Sequence, residues 1–85
     1  MKEFNENERK EFDIRYNLLI NIQYSISLLQ SALVNIYISN SEQKTLEDFQ
    51  KLSKLQAQLP EYSIQTLRKI YHDISLKLGE LINER

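Results

Sequence analysis

The stretch Leu18–Ile38, which reads LLINIQYSISLLQSALVNIYI, decides the fold of this 85-residue chain. Apolar residues recur in it at alternating spacings of three and four, which is the pattern of a helix that packs along one side. Phe12 extends this pattern by one heptad, whereas Arg15 interrupts it. We therefore predict a long helix over residues 5–39. Its packed side consists of Leu19, Ile22, Ile26, Leu29, Leu33 and Ile36.

Part of this stretch also fits a β-strand. Between residues 19 and 28, isoleucine, tyrosine and leucine alternate with polar residues, as they do in a half-buried strand. The adjacent Leu28 and Leu29 break the alternation, and no glycine, proline or Asn-Gly turn follows to lead into a second strand. The helix is the favoured interpretation, and the strand is left open as the alternative for residues 19–28.

Two shorter helices are predicted after the long one. Ser39 and Glu42 have the spacing of a capping box, which marks a helix start. Pro60 ends or kinks the next helix because it lacks a backbone donor and restricts the residue before it. Ser63 is a candidate cap for the last helix. The predicted helices cover residues 42–58 and 63–83, so the chain is expected to be one all-α domain over residues 1–85. The apolar stripes are Leu46, Phe49, Leu52, Leu55 and Leu59, followed by Leu67, Tyr71, Ile74, Leu78 and Leu81.

The composition limits the classes of function. Eleven basic against twelve acidic residues give a formal charge of −1, which provides no general field for attracting nucleic acid or anionic lipid. The chain has no cysteine, which is typical of a cytoplasmic protein. A domain this small often gains stability by association. The abundance of isoleucine and asparagine is typical of a small bacterial or phage protein with an AT-rich gene.

The long helix carries no charged residue between Tyr16 and Ser41. Its side opposite the packed stripe, where lysine and glutamate are normally found, is also apolar. A helix that is apolar nearly all round is usually buried, and two partner helices from the same chain cannot cover it fully. We therefore expect a protein interface and a homodimer built as an interchain helical bundle. The expected interface residues are Ile20, Tyr24, Leu28, Val34, Tyr37 and Ile38.

Two other interpretations of the uncharged segment stay open. In the first, it is simply the central core helix, and its outer side is wetted by asparagine, glutamine and serine. In the second, it spans a membrane, since residues 18–38 are long enough to cross a bilayer at roughly 20 residues. The polar residues within the segment make insertion into a bilayer unfavourable.

No motif for catalysis or for a cofactor is found, and we expect no enzyme activity. His72 has Arg68, Lys69, Ser75 and Leu76 as helical neighbours, none of them a second metal ligand, whereas zinc needs three or four. The acidic residues form helix-surface pairs at i,i+4 with lysine or arginine. These pairs are Glu11–Arg15, Glu47–Lys51 and Asp73–Lys77.

The long–short–medium order of helices resembles the layout of helical chorismate mutases, which bind a dianionic substrate with buried arginines and a lysine. This chain has no basic residue between Arg15 and Lys44, so the cationic pocket that the resemblance implies is missing. A shared layout without the site does not imply the activity.

The alternative function is a small DNA-binding regulator. Residues 46–71 have about the length of a helix-turn-helix, and the third helix carries Arg68, Lys69 and Lys77. Lys54 and Gln58 fall where that motif needs small, tightly packed residues, and few cations are available to neutralise phosphates. The favoured function is therefore non-enzymatic: an adaptor, inhibitor, immunity protein or chaperone that acts through helix–helix contacts.

Overall fold

The computed structural model describes residues 5–83 as three α-helices and one short 3-10 turn. Helix α1 covers Glu6–Asn40, α2 covers Gln43–Gln58, the turn covers Leu59–Glu61, and α3 covers Ile64–Asn83. No strand occurs within the described residues. The all-α prediction is confirmed, and every helix begins and ends within one residue of its predicted position. Residues 19–28, for which a strand was the alternative, lie inside α1.

The ends of the helices show which capping predictions were correct. The side chain of Asn5 accepts a hydrogen bond from the backbone N–H of Glu8 at 2.8 Å and begins α1. The predicted cap Ser63 accepts from the backbone N–H of Thr66 at 3.2 Å. The capping box at Ser39 is wrong, because α1 continues to Asn40 and the Ser39 hydroxyl donates back to the carbonyl of Asn35. Helix α1 ends at Asn40 and is capped by Ser41, which has a left-handed backbone with φ of 53°.

Both shorter helices pack against the same side of α1. The Gln30 side chain donates to the Phe49 carbonyl at 3.3 Å and to the Ser53 hydroxyl at 2.9 Å. Since Tyr37 and Leu46 also share a cavity, α2 runs antiparallel to α1. Helix α3 runs parallel to α1. Helices α2 and α3 both contact α1 but make few contacts with each other. The buried apolar core consists of Ile22, Ile26, Leu29, Leu33, Leu59, Leu67 and Ile74.

The predicted packed side of α1 is largely confirmed. Ile22, Ile26, Leu29 and Leu33 are buried, and Leu19 and Ile36 are half-buried. Phe12 is an exception, because 57% of its surface is exposed. The core ends near Arg15, where α3 begins, so neither α2 nor α3 extends along the first turns of α1.

Arg15, which interrupts the apolar pattern, joins α1 to the turn between α2 and α3. One of its guanidinium nitrogens donates to the carbonyl oxygen of Tyr62 at 2.7 Å, and the contact is partly buried. Pro60 lies in the same turn and ends α2 as predicted, with Leu59 beside it fully buried. The cation therefore satisfies a backbone acceptor at the end of the core where the chain reverses.

Replacing Arg15 with methionine should lower the free energy of unfolding by about 1–2 kcal/mol. The substitution keeps most of the aliphatic stem but leaves the Tyr62 carbonyl without its charged donor, and hydrogen bonds to charged groups typically contribute about 1.5–3 kcal/mol. Urea unfolding followed by circular dichroism measures this difference. Arg9→Met, at an exposed position of the same helix, is the matched control and should change stability by less than about 0.5 kcal/mol. Equal effects of the two substitutions would contradict the assigned role of Arg15.

Candidate interaction surface

The side of α1 that faces away from the core is apolar and exposed, and we call it the outer face. Its members are at least a third exposed, and Tyr24 and Ile38 reach 66% and 73%. Both α2 and α3 pack on the opposite stripe, and α2 borders this side only at Val34 and Tyr37 among the expected interface residues. All the residues expected from the sequence to form an interface are exposed, namely Ile20, Tyr24, Leu28, Val34, Tyr37 and Ile38.

Part of the outer face is a continuous row of side chains spaced four residues apart. Side chains at this spacing are neighbours on a helix surface. The row begins with the rings of Phe12 and Tyr16, which stack with their centroids 6.3 Å apart and their planes 8° from parallel. Sequence reasoning assigned Phe12 to the packed side and left Tyr16 out of the interface. The four-residue spacing could have placed both in this row, which consists of Phe12, Tyr16, Ile20, Tyr24 and Leu28.

Val34 and Tyr37 occupy a different position from the other expected interface residues. Both line a small cavity of about 110 Å³ between α1 and α2, together with Leu33, Leu46 and Phe49. Tyr37 is 37% exposed, the lowest value among the expected interface residues. Val34 and Tyr37 therefore lie at the border between the outer face and the α1–α2 contact.

From Tyr16 to Ile38 the outer face is polar between its apolar members but carries no formal charge. Asn17, Ser27, Ser31 and Asn35 are exposed there, and the first charged residues on either side are Arg15 and Glu42. Charge is concentrated instead on the first turns of α1, over residues 6–15, and on the exposed sides of α2 and α3. The outer face from Tyr16 to Ile38 is thus an uncharged surface beside charged ones.

The predicted i,i+4 ion pairs are wrong. Among residues 5–83, the one ion pair within 4 Å is Lys10–Glu6, at 3.6 Å and well exposed. Arg15 donates to the Tyr62 carbonyl instead of pairing with Glu11. The charges of Asp73 and Lys77 lie beside a groove between α2 and α3, without an ion-pair partner within that distance.

The residues singled out for DNA binding are exposed on α3, but they are not part of a helix-turn-helix. In that motif two helices pack at roughly 90–120° across a turn of three or four residues. Here α2 and α3 run in opposite directions along α1 and make few contacts with each other. DNA binding through Arg68 and Lys69 stays a prediction that this geometry does not support.

Within the described part of the chain, no group of three or more histidine, cysteine or acidic residues is placed to hold a metal ion. His72 is exposed on α3. Of the helices between residues 5 and 83, none has both the length and the mean hydropathy that crossing a membrane requires.

Comparison with protein-family models, with curated proteins and with solved structures finds no match to this chain. The chain is therefore classified by its fold and its surface. It is a three-helix all-α protein whose longest helix has a buried apolar side and an exposed, uncharged apolar side.

Adding zinc or EDTA should leave the melting temperature unchanged within about 1 °C. A ligand that binds only the folded state raises stability by mass action, and the described residues contain no group of three or more possible ligands placed to hold a metal ion. Differential scanning calorimetry of the full chain, with and without each additive, measures the effect. A rise of several degrees in the melting temperature with zinc, reversed by EDTA, would show that the chain binds zinc and would contradict this expectation.

Proposed function

We propose that this chain is a non-enzymatic helix-binding protein that assembles as a homodimer through the outer face of α1. The single observation that carries the proposal is the exposure of a row of large apolar side chains on a helix with no charge from Tyr16 to Ser41. Large exposed apolar patches are uncommon on monomers and usually mark an interaction site. An adaptor, inhibitor, immunity protein or chaperone of the bacterial or phage cytoplasm would use such a surface.

A second copy fits this face because the face is uncharged. In a two-fold symmetric dimer the same patch meets itself, so any charge near the axis would lie close to its own like-charged copy. From Tyr16 to Ile38 the outer face has none, and its exposed asparagine and serine side chains can both donate and accept hydrogen bonds. The outer face can therefore pack against the outer face of a second copy without bringing like charges together.

The size of the face agrees with a stable contact. From residue 16 to residue 38 it extends over about 33 Å of helix at 1.5 Å per residue. With several aromatic rings at roughly 150–250 Å² each, a face of this length offers on the order of 700 Å² per copy. Standard interfaces bury about 800 Å² per partner. Tyr16, Tyr24 and Phe12, each more than half exposed, belong to the residue types enriched in such interfaces.

Sedimentation equilibrium at micromolar concentrations should show the parent chain as a dimer and Tyr24→Lys or Leu28→Lys as monomers. Each substitution puts a lysine into the proposed contact, where an unpaired buried charge costs several kcal/mol. We expect dimerisation to weaken at least a hundredfold, since 1.4 kcal/mol is tenfold. Both positions are exposed in the single chain, so the helical content measured by circular dichroism should be retained.

The matched control is Leu76→Lys, which replaces an apolar residue of α3 that is 56% exposed and lies off the outer face. This variant should dimerise as the parent does. A parent chain that stays monomeric at high micromolar concentration would refute self-association. Equal weakening by Leu76→Lys would place the contact elsewhere than on the outer face.

A further inference from the structure

A second surface lies on the opposite side of the molecule, in the groove between α2 and α3. These two helices both pack on α1 but make few contacts with each other, so a cavity of about 250 Å³ is left between them. An apolar cavity of about 150 Å³ is enough to hold benzene, so this one has room for one or two large apolar side chains. It is lined by the apolar residues Leu29, Leu33, Leu52, Leu55 and Ile74.

The rim of this groove is charged. Asp48 and Lys51 stand on the α2 side, and Asp73 and Lys77 stand on the α3 side. Within residues 5–83, none of these rim residues has an ion-pair partner within 4 Å. The groove therefore combines an apolar floor with charged groups of both signs that can still form ion pairs with a partner.

The order of the rim charges is defined by the packing of the helices. Asp48 and Lys77 also line the neighbouring cavity near Asn40, so both lie at that end of the groove. Lys51 and Asp73 lie further from it, one turn along each helix. Each anion thus has a cation on the opposite rim, and the α2 side reads anion then cation while the α3 side reads cation then anion.

We propose that this groove binds one amphipathic helix of a different protein. That helix inserts one or two large apolar side chains between α2 and α3 and occupies the fourth corner of a four-helix bundle, diagonal to α1. Its flank beside α2 presents a cation to Asp48 and an anion to Lys51, three or four residues apart. Its flank beside α3 presents an anion to Lys77 and a cation to Asp73. The arrangement of the four rim charges is unchanged when the groove is turned end for end. The charges therefore determine which charge pattern the partner helix must carry, but not the direction in which it runs.

A second copy of this chain is a poor occupant of the groove. The extended apolar surface of the described residues is the outer face of α1, which has no charged residue from Tyr16 to Ser41. Placed in the groove, that face would remove the rim charges from water without pairing them, which is unfavourable. Charge complementarity therefore assigns the groove to a charged amphipathic helix, and this inference does not depend on dimerisation.

The test uses two synthetic helical peptides of the same composition. Both carry leucines along one side at spacings of three and four; one has the flanking charges described above, and the other has the cation and anion of each flank exchanged. Fluorescence anisotropy with the full chain should show that the matched peptide binds at least tenfold more tightly. Reversing the rim with Asp48→Lys, Lys51→Asp, Asp73→Lys and Lys77→Asp together should invert the preference.

The controls separate the groove from the outer face. Glu47→Lys with Lys54→Glu changes exposed charges of α2 that do not line the groove, and should leave the peptide preference unchanged. Tyr24→Lys should bind the matched peptide as the parent does. Equal affinity for the two peptides, or no binding of either at high micromolar concentration, would overturn the proposal. Loss of self-association in the reversed-rim variant would show that a second copy occupies the groove, which would also overturn it.

Discussion

The packing of both short helices on one side of α1 is the constraint on which the rest of this structure depends. Ile22, Ile26, Leu29 and Leu33 lie along a single stripe, so α2 and α3 must share it. Sharing a stripe keeps the two helices apart, which opens the groove between them. It also leaves most of the opposite side of α1 uncovered by the other described helices, which exposes the outer face.

The division of charge between the helices follows the same constraint. Helices α2 and α3 each have one side on α1 and one side in water, so they carry lysine, arginine and acidic residues on the exposed side. Helix α1 has no charge over residues 16–41 although Tyr24 and Ile38 are mostly exposed. The packing within this chain gives no reason for leucine or isoleucine at such positions, because burial of their apolar area is what stabilises them. The proposed second copy would supply that reason by covering them.

The sequence predicts the helices well because the apolar residues of each helix recur at a helical spacing that can be recognised within that segment alone. The alternating spacing of three and four in α1, the proline at 60 and the cap at Ser63 are local features, and the structure contains them where they were expected. The four-residue spacing could have placed Phe12 in line with Tyr16, but its exposure could not be predicted, because it depends on how far α3 reaches along α1. The groove could not be predicted either, since an apolar stripe looks the same whether its helix touches one neighbour or two. The outer face could be found from the absence of charge alone.

The two proposed surfaces differ in chemistry, and that difference determines what assembly they permit. A contact between two different surfaces of identical chains repeats without end unless its rotation closes, and it therefore risks filaments. The outer face is uncharged, whereas the groove presents Asp48, Lys51, Asp73 and Lys77 at its rim. An outer face placed in a groove would leave the rim charges without ion-pair partners. Head-to-tail stacking of copies is therefore disfavoured. Pairing of the outer face with itself closes after two copies, and each groove then remains open to an amphipathic helix from another protein. The unequal distribution of charge thus allows one small domain to bind its own copy on one side and a different partner on the other.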